Sequence, residues 1–267
     1  MKQINNIHTA LVTGASSGIG KAFAFELAKM NCNLVITSED KENLNLTKKQ
    51  IEEQYNIQVF AFTFDLSRQE NAFLLFHECK SKKLQIDLLI NNAGISLNTN
   101  EMFNLPERTL DMLNVMLVSL TSLCILFSNE MKKQRKGYIL NIASINAFFP
   151  NAEQLLYGVI KNYVKNFSEA LHWELKKDNV IVTCLAPGGT KTNFFSNNSI
   201  FIEPSMKKYF NSPENVAKYG LKVLFKKKKT KICGKLSKFA VFLLKLIPDG
   251  YFYKLGKKHR EKNQKPG

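Results

Sequence analysis

Acidic residues are scarce in this chain: 22 Asp and Glu stand against 38 Lys and Arg, a formal net charge of +16 over 267 residues. Residues 218–267 hold 16 of the basic residues and 2 of the acidic ones, a net of +14, so the body is nearly neutral and the C-terminal end is basic. Unbroken apolar runs of eighteen or more are absent, which leaves no obvious membrane-spanning helix. Met1-Lys2-Gln3-Ile4-Asn5-Asn6 lacks the apolar stretch of a signal peptide, and the expectation is a cytosolic protein. Cysteines are few, at 32, 79, 124, 184 and 233, with no Cys-x-x-Cys spacing. Four of them fall in apolar helix or strand patterns, as reduced structural thiols do, and the four histidines are scattered, so no metal site is expected. With 45% hydrophobic residues, a chain of this length forms one globular unit with a substantial core.

The first pattern with chemical content lies near the start. A short apolar run at residues 7–12 ends in Thr13-Gly14-Ala15-Ser16-Ser17-Gly18-Ile19-Gly20, and Phe23, Leu27 and Met30 follow at helical spacing. A glycine-rich turn between strand and helix lets the backbone approach a pyrophosphate at the helix N-terminus, where unpaired N–H groups and the helix dipole favour negative charge. Strand-like runs recur at residues 33–37, 58–64, 86–90, 138–142, 180–185 and 231–234. Helical patterns alternate with them at 41–55, 69–80, 106–133, 154–177 and 213–225. That alternation predicts a parallel sheet covered on both faces.

The second pattern is a proton-transfer group. Tyr157 and Lys161 are four apart in a helical stretch and so share a face, and an ammonium beside a phenol favours the phenolate. The spacing alone is weak, because Tyr253 and Lys257 repeat it. Upstream context separates the two copies: thirteen residues before Tyr157 stands Ser144, just past a strand-like run, whereas thirteen before Tyr253 stands Ala240.

Ser144, Tyr157 and Lys161, the Gly-x-x-x-Gly-x-Gly turn, Asn91-Asn92-Ala93-Gly94 and Pro187-Gly188-Gly189-Thr190-Lys191-Thr192 together resemble the short-chain dehydrogenase/reductase family over residues 7–192. The likeness extends, at the C-terminus, to a bacterial subgroup related to hydroxysteroid and ketoacyl reductases. It implies a Rossmann-type α/β fold: a doubly wound parallel sheet of about seven strands in a single domain over residues 1–235, with residues 236–267 as a basic amphipathic extension. It also implies an oxidoreductase moving hydride between NAD(P) and a secondary alcohol or ketone. Ser144 would hold the substrate oxygen, Tyr157 exchange its proton, and Lys161 lower the Tyr157 pKa while bonding the nicotinamide ribose. Gly14, Ser16, Ser17, Gly18, Ile19 and Gly20 would cradle the pyrophosphate, Asp65 and Leu66 receive the adenine, and Asn92, Ala93 and Gly94 wall the cofactor. Pro187, Gly188, Thr190 and Thr192 would hold the nicotinamide amide. Relatives that prefer NADP place an arginine at the Glu39 position or a basic residue at Ser17; neither is present, which leans the reading to NAD. A family asparagine on the long helix falls on Met116, which favours an alternative: a dinucleotide-binding scaffold or sensor with little catalysis. Members of the family often pair their two long helices with those of a second subunit, so a homo-oligomer is possible.

Two features follow the cofactor motifs. Phe194, Phe195, Ile200, Phe201, Ile202, Met206, Tyr209 and Phe210 crowd the position of the family's substrate lid, and an apolar lid implies a small hydrophobic substrate. Residues 236–247 are apolar at nine of twelve positions, too short to span a bilayer, and basic clusters at 226–229 and 254–260 bracket them. Such a stripe suits the headgroup region of an anionic membrane, so peripheral attachment is the expectation. Nucleic acid is not expected as a partner, because basic and apolar residues alternate there without a compact basic face.

Overall fold

The structure, a computed structural model, describes residues 7–194 and 207–258 apart from positions 245, 249, 252 and 255. Seven parallel strands lie in the order β3-β2-β1-β4-β5-β6-β7, as the alternation predicts. They are β1 (Thr9–Thr13), β2 (Asn33–Ser38), β3 (Val59–Thr63), β4 (Leu88–Asn91), β5 (Gly137–Ile142), β6 (Val180–Pro187) and β7 (Thr230–Cys233). β1 and β4 are buried at every position, the mark of strands covered on both faces.

Successive side chains point to opposite faces, so each strand feeds two cores. Ala10, Val12, Leu34, Ile36, Leu88 and Ile90 meet α1 (Gly18–Ala28), α2 (Lys41–Gln54) and α8 (Pro213–Phe225). Leu11, Val35, Leu89 and Ile139 meet α3 (Gln69–Ser81), α6 (Leu120–Gln134) and α7 (Leu155–Leu175). The strand order turns back between β1 and β4, and the crevice beyond their C-terminal ends is where an open sheet of this kind binds ligands.

Three features differ from the sequence pattern. A short helix, α4 (Thr99–Asn104), precedes α5 (Pro106–Leu113); its polar residues hide it from periodicity, but Asn98 and Glu101 form a reciprocal capping box. Between α5 and α6 the helix widens into a π-helical stretch, Asn114–Ser119. The whole of Pro106–Gln134 is long and apolar enough to cross a membrane by length and composition, which a search for unbroken apolar runs misses because Ser119, Thr121 and Ser122 interrupt it. Here it lies against the second core, with Met112, Met116, Leu123, Phe127 and Met131 buried.

The third difference concerns the tail. Ser212 caps α8 by accepting the Asn215 N–H (3.2 Å). After β7 comes α9 (Lys235–Leu244), which packs on β7 and on the 3-10 turn Ile145–Phe148 while burying Val241. Leu236, Phe239 and Phe242 on its other side are about 60% exposed. Lys226–Lys229, expected to flank this helix, sit instead at the opposite end of β7, about 13 Å of strand away. There Lys229 pairs with Glu169 (3.1 Å). Among the described residues, Lys235 and Lys238 are the basic residues of α9 itself.

Candidate active site

The turn after β1 is shaped by close approach. Gly14 and Gly18 adopt left-handed φ values of +64° and +53°, and a Cβ on Gly20 would fall 2.1 Å from the Gly14 carbonyl oxygen and 2.5 Å from Asn92 Nδ2. Asn92 laces the turn to the end of β4: its Nδ2 donates to the Thr13 carbonyl (3.0 Å), and the Asn92 and Ala93 N–H groups both donate to Thr13 Oγ1 (3.0 Å). Ser17 begins α1 without a side-chain cap, and no acidic residue occupies the first turn. The helix N-terminus therefore keeps its N–H groups and dipole for an anion, and a turn with no room for a Cβ at Gly20 fits a pyrophosphate. Lys21 and Lys191 line the same open cleft as Ser17, Gly18 and Thr192. Sequence reasoning missed both lysines; the only signal for Lys21 is its place one turn into α1.

Across the turn, β2 ends at Ser38, whose hydroxyl shares a hydrogen bond with that of Ser16 (2.9 Å). Glu39 follows, exposed at its surface, and its carboxyl is raised above the usual range by partial desolvation and then by the charges of Asp65, Asp40 and Asp111. Asp65 Oδ1 accepts the Ser67 N–H (2.9 Å), and the Leu66 carbonyl accepts the Ser119 hydroxyl (2.7 Å), which ties the π-helical stretch to this wall. Ile19 packs on the first core.

The structure brings Ser144, Tyr157 and Lys161 together. Ser144 leaves β5 and caps the 3-10 turn, its Oγ accepting the Asn146 N–H (3.2 Å), and its hydroxyl is near enough to Tyr157 to favour the phenolate. Tyr157 is 8% exposed and lies under the Phe194 ring, with centroids 5.8 Å apart. Lys161 Nζ donates to the Ile142 carbonyl (2.8 Å) and stands 5.5 Å from the Tyr157 ring centroid. Burial pushes the Tyr157 phenol up to about 12, outweighing the Ser144 bond, and burial brings the Lys161 ammonium down to about 8. The expected lowering of Tyr157 by Lys161 is thus not met in this structure: desolvation of the phenolate is the larger effect, and what opposes it is the Ser144 hydroxyl and not Lys161.

The loop after β6 closes over the glycine turn. Thr190 Oγ1 donates to the Gly188 carbonyl (3.0 Å), and Thr192 Cγ2 lies 3.1 Å from where a Cβ on Gly18 would stand. Ser237 of α9 fills the Cβ position of Gly188, just past Pro187. Met116 is 1% exposed, with Sδ 3.5 Å from the Cβ position of Gly94. Asn114 turns away, its Oδ1 accepting from Gln69 Nε2 on α3 (3.2 Å). Of the apolar lid, Phe194, Tyr209 and Phe210 are described, and Phe210 lies against Gly189; Phe195, Ile200, Phe201, Ile202 and Met206 lie outside the described residues. Tyr253 and Lys257 lie beyond α9. Among the described residues no cluster could hold a metal ion.

A sequence model of the family described as short chain dehydrogenase matches residues 8–201. Hydroxysteroid dehydrogenase-like protein 1 of Gallus gallus is 32% identical over 223 residues, 83% of this chain and 66% of the relative. Very-long-chain 3-oxoacyl-CoA reductase of Anas platyrhynchos is 35% identical over 182 residues, 67% of this chain and 58% of the relative. The chain thus spans less than two thirds of the length of these two relatives. Among solved structures, a short-chain dehydrogenase from Sphingobium yanoikuyae in complex with NADPH superposes with a TM-score of 0.78 at 25% identity, covering 85% of this chain and 87% of that one. A match that runs from the first strand past the last cofactor loop, repeated in relatives above 30% identity, makes this chain a member of the short-chain dehydrogenase/reductase family, related to its hydroxysteroid and ketoacyl reductases.

Proposed function

We propose that the protein interconverts a secondary alcohol and a ketone on a lipid-like molecule, using NAD(P). The dinucleotide, when bound, supplies or accepts the hydride. The glycine turn, with Lys21 and Lys191 nearby, holds the pyrophosphate; Asp65 and Leu66 take the adenine, Asn92, Ala93 and Gly94 form the wall, and Pro187, Gly188, Thr190 and Thr192 hold the nicotinamide amide. Ser144 donates to the substrate oxygen, and Tyr157 Oη gives that oxygen a proton in reduction and removes it in oxidation. Lys161 bonds the ribose. The observation that carries this reading is the convergence of Ser144 at the end of β5 with Tyr157 and Lys161 on α7, the Lys161 Nζ 5.5 Å from the Tyr157 ring centroid, at the end of the sheet that also holds the Gly14–Gly20 turn. Tyr157→Phe should abolish turnover and leave dinucleotide binding within about twofold; undiminished turnover would refute the assignment.

The preferred cofactor is NAD. Partial desolvation and then the charges of Asp65, Asp40 and Asp111 raise the Glu39 carboxyl above the usual range, and a phosphate on the adenosine ribose would enter the field of these four carboxylates. A tighter dissociation constant for NADPH than for NADH would overturn the preference.

The names of the relatives, a hydroxysteroid dehydrogenase-like protein and a very-long-chain 3-oxoacyl-CoA reductase, support a lipid-like substrate, as does the Phe194 ring beside Tyr157. In this reading the basic extension, residues 236–267, attaches the catalytic body of 1–235 to the cytosolic face of an anionic membrane. The outer side of α9 presents Leu236, Phe239, Phe242 and Leu243, all more than 40% exposed, with Lys235 and Lys238 on the same helix and exposed Leu246 just past its end. Each basic residue near such a surface contributes about 1 kcal/mol. The helix also packs against the turn that Ser144 caps, so lipid would be delivered beside the reacting residues. Full-length protein should sediment with anionic vesicles at low salt and Phe239→Ser/Phe242→Ser should not; full-length protein left in the supernatant would sink the proposal. Exposed Ile125 on α6 and Val159 on α7 suit a second subunit.

Met116 favours a second reading, a dinucleotide-binding scaffold with little catalysis. Screening NADH and NADPH oxidation against ketosteroids, long-chain ketones and acyl thioesters separates the two: cofactor binding with no turnover on any of them supports the scaffold.

A further inference from the structure

Gln154 is a buried amide that the reaction outlined above does not use. It is 6% exposed and stands just before α7, three residues ahead of Tyr157. Its Nε2 donates to Ser96 Oγ (2.9 Å), its Oε1 accepts from Asn146 Nδ2 (3.0 Å), and its backbone carbonyl accepts the Gly158 N–H (3.0 Å). Ser96 is fully buried two residues past Gly94, and Asn146 is the residue whose N–H donates to Ser144 Oγ. The Gln154 side chain therefore ties the exit of β4 to the turn after β5, and its backbone carbonyl joins both to the start of α7.

Burying a glutamine forfeits about 1.5–2 kcal/mol of side-chain freedom, and an amide without partners would cost more still. A leucine of similar size would fill the space with a smaller loss of side-chain freedom and no amide to satisfy, so what the amide adds is direction. The Asn146 N–H occupies one lone pair of Ser144 Oγ and so limits where the hydroxyl proton can point. Asn146 holds that position because its side chain is pinned to Gln154.

We propose that Gln154 is a positioning residue for the reaction: through Asn146 it fixes the 3-10 turn that aims the Ser144 hydroxyl, and through the first turn of α7 it sets Tyr157 against the same point. This rests on the assignment of Ser144 and Tyr157 above, and a misplacement of about 1 Å at reacting atoms can cost about 100-fold in rate.

The test uses the full chain, with acetoacetyl-CoA and a 3-ketosteroid as probes, and amide hydrogen exchange as a readout that needs no turnover. Gln154→Leu should lower kcat about 10- to 100-fold, leave KM and the dinucleotide dissociation constant within about threefold, and speed exchange of the Asn146 N–H. Gln154→Glu should restore much of kcat at low pH, where the buried carboxyl is protonated and matches the amide, and lose it as pH rises, a dependence that a merely structural role would not produce. Asn146→Leu should reproduce the kcat loss, and the double variant with Gln154→Leu should lose no more than either single one. Losses that multiply in the double variant, or an Asn146 N–H that exchanges at the wild-type rate in Gln154→Leu, would overturn the proposal. If Ser144→Ala and Tyr157→Phe leave turnover intact, the underlying assignment fails instead, and the exchange result stands apart from it.

Discussion

Burial governs the two titratable groups at the centre of the site, and the sign of each effect can be tested. Lys161 ordinarily titrates near 10.5 and in the fold near about 8. The folded state therefore disfavours the ammonium, a penalty on the order of 3 kcal/mol that is fully present below the folded pKa and gone above the unfolded one. Lys161→Met removes the charge but leaves the Ile142 carbonyl without its donor, at about 1 kcal/mol. The variant should melt several degrees above wild type at pH 7, with the gap narrowing toward pH 10, and should be inactive; a lower melting temperature at pH 7 would show that the ammonium is better accommodated than its burial implies. A second substitution addresses Met116. An asparagine there would place a polar group beside Gly94, which Asn114, held by Gln69, does not supply. Met116→Asn should raise kcat, and no change or a fall in steady-state assays would mean that the proton path runs elsewhere.

The connections between elements are what made part of this protein legible in sequence. Strand, glycine turn and helix follow one another locally, so the cradle could be read from Gly14, Gly18 and Gly20 without knowing any tertiary contact. Gly20→Ala tests that reading: a Cβ meeting the Gly14 carbonyl oxygen forces backbone to move, so stability should fall by about 1–3 kcal/mol and dinucleotide affinity by at least tenfold, read by thermal melting with and without NADH. Ser144, Tyr157 and Lys161 were legible for the same reason, since a strand end and one helix face define them. The capped helix α4, the π-helical stretch and the opposed ends of β7 were not. Their positions depend on contacts such as Ser119 to Leu66 and Thr99 to Ala152, which join residues 53 apart in sequence. The high Tyr157 pKa was equally hidden, because it depends on what covers the phenol and not on which residue stands four positions away.

At the scale of the whole molecule, charge is segregated by sequence, with the lower edge of β7 and the region after α9 carrying most of the excess. Attachment to anionic vesicles should therefore weaken steeply as salt rises above about 0.1 M, where screening acts within about 10 Å, while turnover of a water-soluble ketone should change little. Co-sedimentation and a solution assay over the same salt series would separate the two. The five thiols offer a way to see the attachment itself. All are buried, and burial raises each above its ordinary pKa, four of them to about 12. A maleimide consumes thiolate, so the wild-type protein should be nearly inert to it. A cysteine introduced at Phe239 would then be the one position a spin label or fluorophore reaches, and the label's collisional quenching would report how deep α9 lies in a bilayer.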